Sequence, residues 1–107
     1  MYHLFVYVPI EASELVKSAL FEAGAGKYEN YDQCCWESLG TGQFRPLLGS
    51  NPYLGSENKL EKVSEVKLEL ICKRESIKQV LEVLKQIHPY EEPAYGVIEI
   101  KCLEDFK

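Results

Sequence analysis

The sequence predicts an α+β domain of split β-α-β type, in which a four-stranded antiparallel sheet carries two helices on one face. Three observations predict it. Side chains sort into two faces at the two-residue period of strands in Tyr2–Val8, Val63–Cys72 and Ala94–Lys101, with both faces apolar in the first and one face polar in the second. Two runs with helical spacing, Glu11–Ala23 and Glu75–Ile87, alternate with those strands. At 107 residues the chain holds one adequate core and not two, so residues 1–107 are expected to form a single domain.

The first strand places Leu4, Val6 and Val8 on one face and His3, Phe5 and Tyr7 on the other, and Pro9 marks its end. The first helix shows a stripe of Leu15, Val16, Ala19, Leu20 and Ala23, with Gly24 and Gly26 to stop it. A second strand is expected from Tyr28 to about Glu37, although its alternation is too poor to assign faces. Gly40-Thr41-Gly42-Gln43-Phe44-Arg45-Pro46, then Gly49, Asn51-Pro52 and Gly55, are saturated with turn residues, so a long loop is expected over about 38–60.

The third strand sets Val66, Leu68, Leu70 and Cys72 against Glu65, Lys67, Glu69 and Ile71. The second helix is the plainest, with Ile77, Val80, Leu81, Leu84 and Ile87 on one side and Lys78, Gln79, Glu82, Lys85 and Gln86 on the other. Pro89 ends it. The last strand is read with Ile98 and Ile100 toward the helices and Tyr95, Val97 and Glu99 away from them. Two right-handed crossovers put both helices on one face. The uncovered face is then expected to carry Phe5, Tyr7, Ile71, Tyr95 and Val97, a larger apolar cluster than a soluble monomer exposes. Another copy of the chain is expected to cover it, the alternative being that the long loop folds back over it.

A formal charge of −5 with no Lys/Arg cluster argues against a nucleic-acid partner. Met1–Pro9 is apolar but too short for a membrane span, and Glu11 and Glu14 stand where an export signal would be cleaved. A cytoplasmic protein without a membrane partner is expected. Cys34, Cys35, Cys72 and Cys102 lack the spacing of a disulfide framework or a C-x-x-C zinc site, which fits reduced thiols packed as small hydrophobes. Cys34 and Cys35 have no adjacent cation to activate a thiolate, so a catalytic role is not expected of them.

The chemically richest run is His88-Pro89-Tyr90-Glu91-Glu92-Pro93. An imidazole with two carboxylates can hold a divalent metal through His88, Glu91 and Glu92, with Cys34 as a further donor, or exchange protons near neutral pH. The plainer reading makes His88 a helix-end group that binds backbone carbonyls while Tyr90 packs. The glycine-rich loop lacks G-x-x-x-x-G-K-[ST] spacing, so a phosphate cradle around Arg45 is weakly supported. The loop's length still points to a binding loop or interface arm.

With this hexapeptide after the second helix, the chain resembles the CutA-like, PII-like group of ferredoxin-like proteins, in which a similar H-P-Y-E-x-P run precedes a strand. GTGQFRPLLGSNPYLG (Gly40–Gly55), with Lys59-Leu60-Glu61-Lys62-Val63 and Glu65-Val66-Lys67-Leu68-Glu69, further resembles the domain inserted in YqfO proteins, the dinuclear-metal hexamers related to NGG-interacting factors. The resemblance runs from Tyr2 to about Lys101, as a freestanding copy of that insert. It implies a PII-like fold, cyclic self-association as a trimer, and a β2–β3 loop that reaches ligands or a protein partner. The hexamer's metal chemistry is not implied, because its ligands come from flanking domains outside the resembling segment. No motif matches the nucleotide site of PII proteins.

The expected function is a non-catalytic binding or assembly module, a symmetric oligomer whose clefts are lined by Gly40, Gly42, Phe44 and Arg45 from the loop and His88, Tyr90, Glu91 and Glu92 from the turn. Interface residues are expected to include Phe5, Tyr7, Tyr95 and Val97. The alternatives are a CutA-like divalent metal-binding protein and a small enzyme with His88 as general base.

Overall fold

The computed structural model describes all 107 residues. Its order is β1 (Tyr2–Pro9), a 3-10 turn (Ile10–Ala12), α1 (Ser13–Ala23), β2 (Trp36–Phe44), β3 (Glu61–Cys72), α2 (Arg74–Ile87), β4 (Tyr95–Glu99) and a final 3-10 turn (Leu103–Asp105). The four strands form one antiparallel sheet in the order β2-β3-β1-β4. This is the expected split β-α-β arrangement.

Leu4, Val6 and Val8 from β1, and Val66, Leu68, Leu70 and Cys72 from β3, meet Val16 and Leu20 of α1 and Val80 and Leu84 of α2 in one continuous core. Each strand contributes alternate residues because successive side chains point to opposite faces. Emptying one of these positions, as in Leu84→Ala, removes about 2–5 kcal/mol. The helix α1 ends where the sequence placed its stop. Gly24 adopts φ +118°, its N–H donates to the Phe21 carbonyl, and the Ala25 N–H donates back to Leu20 at 3.0 Å, so two orphan carbonyls are satisfied and Ala25 enters the core. Leu15, expected in the buried stripe, is 60% exposed, because Ser13, Val16 and Leu20 define the inward face.

Two expectations about the strands are corrected. Residues 28–35 do not form a strand. They make turns, with Glu29 and Gln33 at positive φ and a single Tyr28–Tyr31 bridge. The second strand begins at Trp36 and runs through Gly40 and Gly42 to Phe44, inside the segment expected as loop. Cross-strand pairing to β3, from Trp36 opposite Glu69 to Phe44 opposite Glu61, overrides the turn propensity of the glycines. β1 pairs with β3 only as far as Glu65, so the last rungs of the β2–β3 hairpin project as an arm from a molecule 52 × 25 × 23 Å in extent. The true loop is 45–60.

The phase of β4 is the second correction. Val6 pairs with Tyr95 and Leu4 with Val97, which sets Tyr95 and Val97 on the helix-covered face, and Val97 packs on the core. Gly96 and Ile98, opposite Phe5 and His3, lie on the bare face instead. Gly96 has a specific reason to be glycine. A Cβ there would meet the Phe5 ring at 2.5 Å, so the ring lies across its backbone. The bare face therefore carries His3, Phe5, Tyr7, Ile71, Ile98 and Trp36, with Lys67 set 5.5 Å from the Phe5 ring centre and 5.9 Å from that of Tyr7.

Candidate functional site

The chemistry gathers where the projecting arm meets the turn after α2. At the end of α2 the His88 N–H closes the last helical hydrogen bond to Leu84, and Pro89 prevents another turn. The chain then folds the His88 ring inward, leaving the residue 5% exposed. The Tyr90 N–H donates to Nδ1 at 3.1 Å, which fixes the proton on Nε2, and Nε2 donates to the Tyr7 carbonyl at 2.8 Å. Both ring nitrogens are thereby used. Burial depresses the imidazole's pKa below its ordinary 6.5, and the Tyr7 carbonyl and the Glu65 charge oppose that only in part.

Tyr90 carries the arrangement outward. Its ring centre lies 5.1 Å from that of His88, 5.9 Å from Phe44 and 6.1 Å from Tyr53, and its hydroxyl donates to Glu65 Oε2 at 3.1 Å. The Tyr90 hydroxyl is held well above its usual titration range, first by burial and then by the Glu65 carboxylate that accepts its proton. It is a fixed donor. Glu65 is 9% exposed although it points to the bare side of the sheet, because the turn and the loop close over it. Gly42 of β2 makes that possible, since a Cβ there would fall 1.9 Å from Glu65 Oε1.

The loop 45–60 is pinned rather than free. The Asn58 N–H reaches the Pro46 carbonyl at 2.7 Å, the Ser50 hydroxyl reaches Leu47, and the Asn51 N–H donates to Glu91 Oε2 at 3.0 Å. Between loop and turn opens a pocket of about 420 Å³, walled by Phe44, Pro46, Tyr53 and Tyr90 and edged by Arg45, Glu65, Glu91 and Glu92. Gly40 and Gly42 line an adjoining cleft of about 430 Å³ with Tyr7, Glu65 and Lys67.

Of the residues expected to bind a ligand, Phe44, Arg45, Tyr90, Glu91 and Glu92 share this pocket, Gly40 and Gly42 border it, and His88 lies buried beneath Tyr90. The expected metal set is not assembled. His88 has no ring nitrogen to spare, Glu91 ties down the loop, and no three His, Cys, Asp or Glu side chains converge anywhere in the chain. The same engagement leaves His88 no role as a general base. Cys34 lies far from the turn in the 27–37 segment, and burial pushes the neighbouring Cys35 thiol upward, away from a nucleophile's range.

Glu65 and Tyr53 were missed by the sequence reading. Glu65 looked like one more solvent-side residue of an alternating strand. Its signal was Gly42, visible only once β2 is set beside β3.

No protein-family model matches the chain. By sequence it is similar to a GTP cyclohydrolase 1 type 2 homolog of Mycobacterium tuberculosis, 41% identical over 95 residues, which are 89% of this chain and 25% of that protein. The chain spans about a quarter of the length of the curated relatives it matches. Among solved structures it is similar to a Bacillus cereus protein related to NIF3, with a TM-score of 0.76 and 38% identity, covering 90% of this chain and 24% of that one. The periplasmic divalent cation tolerance protein CutA of Archaeoglobus fulgidus shares the fold across 98% of this chain and 90% of its own, with a TM-score of 0.68 at 20% identity. The architecture is thus the ferredoxin-like, CutA/PII-like sandwich, and the sequence similarity lies with part of the larger YqfO/NIF3-type proteins.

Proposed function

We propose that residues 1–107 act as one CutA/PII-like domain that is a non-catalytic binding and assembly module. Copies join through the bare sheet face into a symmetric oligomer, a trimer as the resemblance implies, and the arm and turn hold a small ligand beside the joint. The bare face carries this reading: Phe5, Tyr7, Ile71, Trp36 and Ile98 lie on one open surface, and the loop, which was the other candidate cover, closes only over the Glu65 and Phe44 end. Burying such a strip stabilises an assembly by about 25 cal/mol for each Å² of apolar area removed from water.

The names of the similar proteins suggest two other chemistries, divalent cations for CutA and a cyclohydrolase reaction for the curated relatives. The candidate metal ligands are not gathered here, since His88 and Glu91 are engaged and no three His, Cys, Asp or Glu side chains converge. No helix is long and apolar enough to cross a membrane. A cytoplasmic setting goes with the reading, all four cysteines standing as thiols. Sedimentation equilibrium at micromolar concentration tests assembly, with three times the protomer mass of 12.3 kDa expected. A protomer-sized species over the whole concentration range would reject it.

A further inference from the structure

We infer that the pocket between the arm and the turn binds a small organic cation of the alkylated-ammonium class. The inference rests on the reading of the chain as a binding module and names what the module binds. Three aromatic rings wall the space, with the ring centres of Phe44 and Tyr53 lying 5.9 and 6.1 Å from that of Tyr90. Aromatic faces carry negative quadrupole density, so rings grouped at this spacing favour a cation with an apolar skin over a hydrated metal ion.

The charge at the rim points the same way. Glu65, Glu91 and Glu92 face the pocket against the one guanidinium of Arg45, which leaves two negative charges in excess. Glu65 matters most among them. It is nine-tenths buried, its Oε2 accepts the Tyr90 hydroxyl, and it has no ion pair with any Lys or Arg. A largely buried carboxylate beside an aromatic wall, with no cation paired to it, favours a positively charged ligand. Tyr90 keeps its proton, so its hydroxyl orients Glu65 and adds no charge of its own. The volume of about 420 Å³ suits a head group with a short apolar body and is too small for an extended peptide.

Choline and its neutral isostere 3,3-dimethylbutan-1-ol are the probes, titrated against the full chain while tyrosine ring resonances are followed by NMR. Choline is expected to shift Tyr53 and Tyr90 and to bind about tenfold more tightly than the isostere. Glu65→Gln, whose amide oxygen still accepts from Tyr90, is expected to erase that preference, and Tyr53→Leu to weaken choline by a similar factor with unchanged backbone spectra. Equal binding of the two probes, or binding of inorganic phosphate that depends on Arg45 with none of choline, overturns the inference. Sedimentation of the same samples separates the two readings: an oligomer indifferent to choline refutes the cation site alone, and a choline-binding protomer refutes assembly alone.

Discussion

His88 lies in the segment that looks most like an active site, and the structure assigns it to the architecture. Its Nε2–H holds the Tyr7 carbonyl and its Nδ1 accepts from Tyr90, so one imidazole joins β1 to the turn. Protonating Nδ1 would set two donors against each other. In the unfolded chain the ring titrates near 6.5, and in the folded chain lower. Between those values the unfolded state binds more protons. Stability from this group is therefore complete above about pH 6.5, falls as pH drops through the window below it, and levels off beneath the folded pKa. His88→Asn is expected to cost about 1–3 kcal/mol at neutral pH by stranding buried partners, and to flatten that part of the pH dependence. Urea unfolding of both proteins between about pH 5 and 7.5 checks it, and parallel stability curves would show that the His88 ring titrates alike in the folded and unfolded chains.

At the level of elements, legibility in the sequence tracked how unlike the two faces of each element are. β3 and α2 were readable because their apolar and polar positions separate cleanly, as in Val66-Lys67-Leu68-Glu69-Leu70, and β1 because an unbroken apolar run ends at Pro9. β4 was not, since Tyr95, Val97 and Ile98 offer apolar side chains to both faces, and its phase is set by partners, Val97 beside Leu4 and Gly96 under the Phe5 ring. β2 was hidden for another reason. Its Gly42 makes room for Glu65 across the ladder, and such a purpose cannot be seen in one strand alone. The pocket was legible as a loop and a turn, but its buried carboxylate was not. Gly42→Ala tests the logic. It is expected to cost about 1–3 kcal/mol through the collision with Glu65. Made on top of Glu65→Ala it is expected to become neutral or slightly favourable, because alanine suits a strand better than glycine. A double-mutant cycle showing additivity would mean that the carboxylate does not lie across Gly42.

For the whole molecule the question is which surface joins copies, and two exposed aliphatic residues on opposite sides answer it. Ile98, 53% exposed on β4, lies on the bare face, and Leu15, 60% exposed on α1, lies on the helical side. Neither supports the core, so Ile98→Glu and Leu15→Glu are each expected to change protomer stability by less than about 0.5 kcal/mol. Their effects on assembly differ. Glutamate at 98 would be pressed against a copy of the same apolar strip, and a carboxylate buried there without a cation costs several kcal/mol, enough to weaken association by about a hundredfold or more. Glutamate at 15 stays in water. Sedimentation is therefore expected to find the Ile98→Glu protein at protomer mass and the Leu15→Glu protein unchanged. The reverse pattern would move the joint to the helices, and would leave Phe5, Tyr7 and Trp36 as a surface that the molecule keeps open for something other than itself.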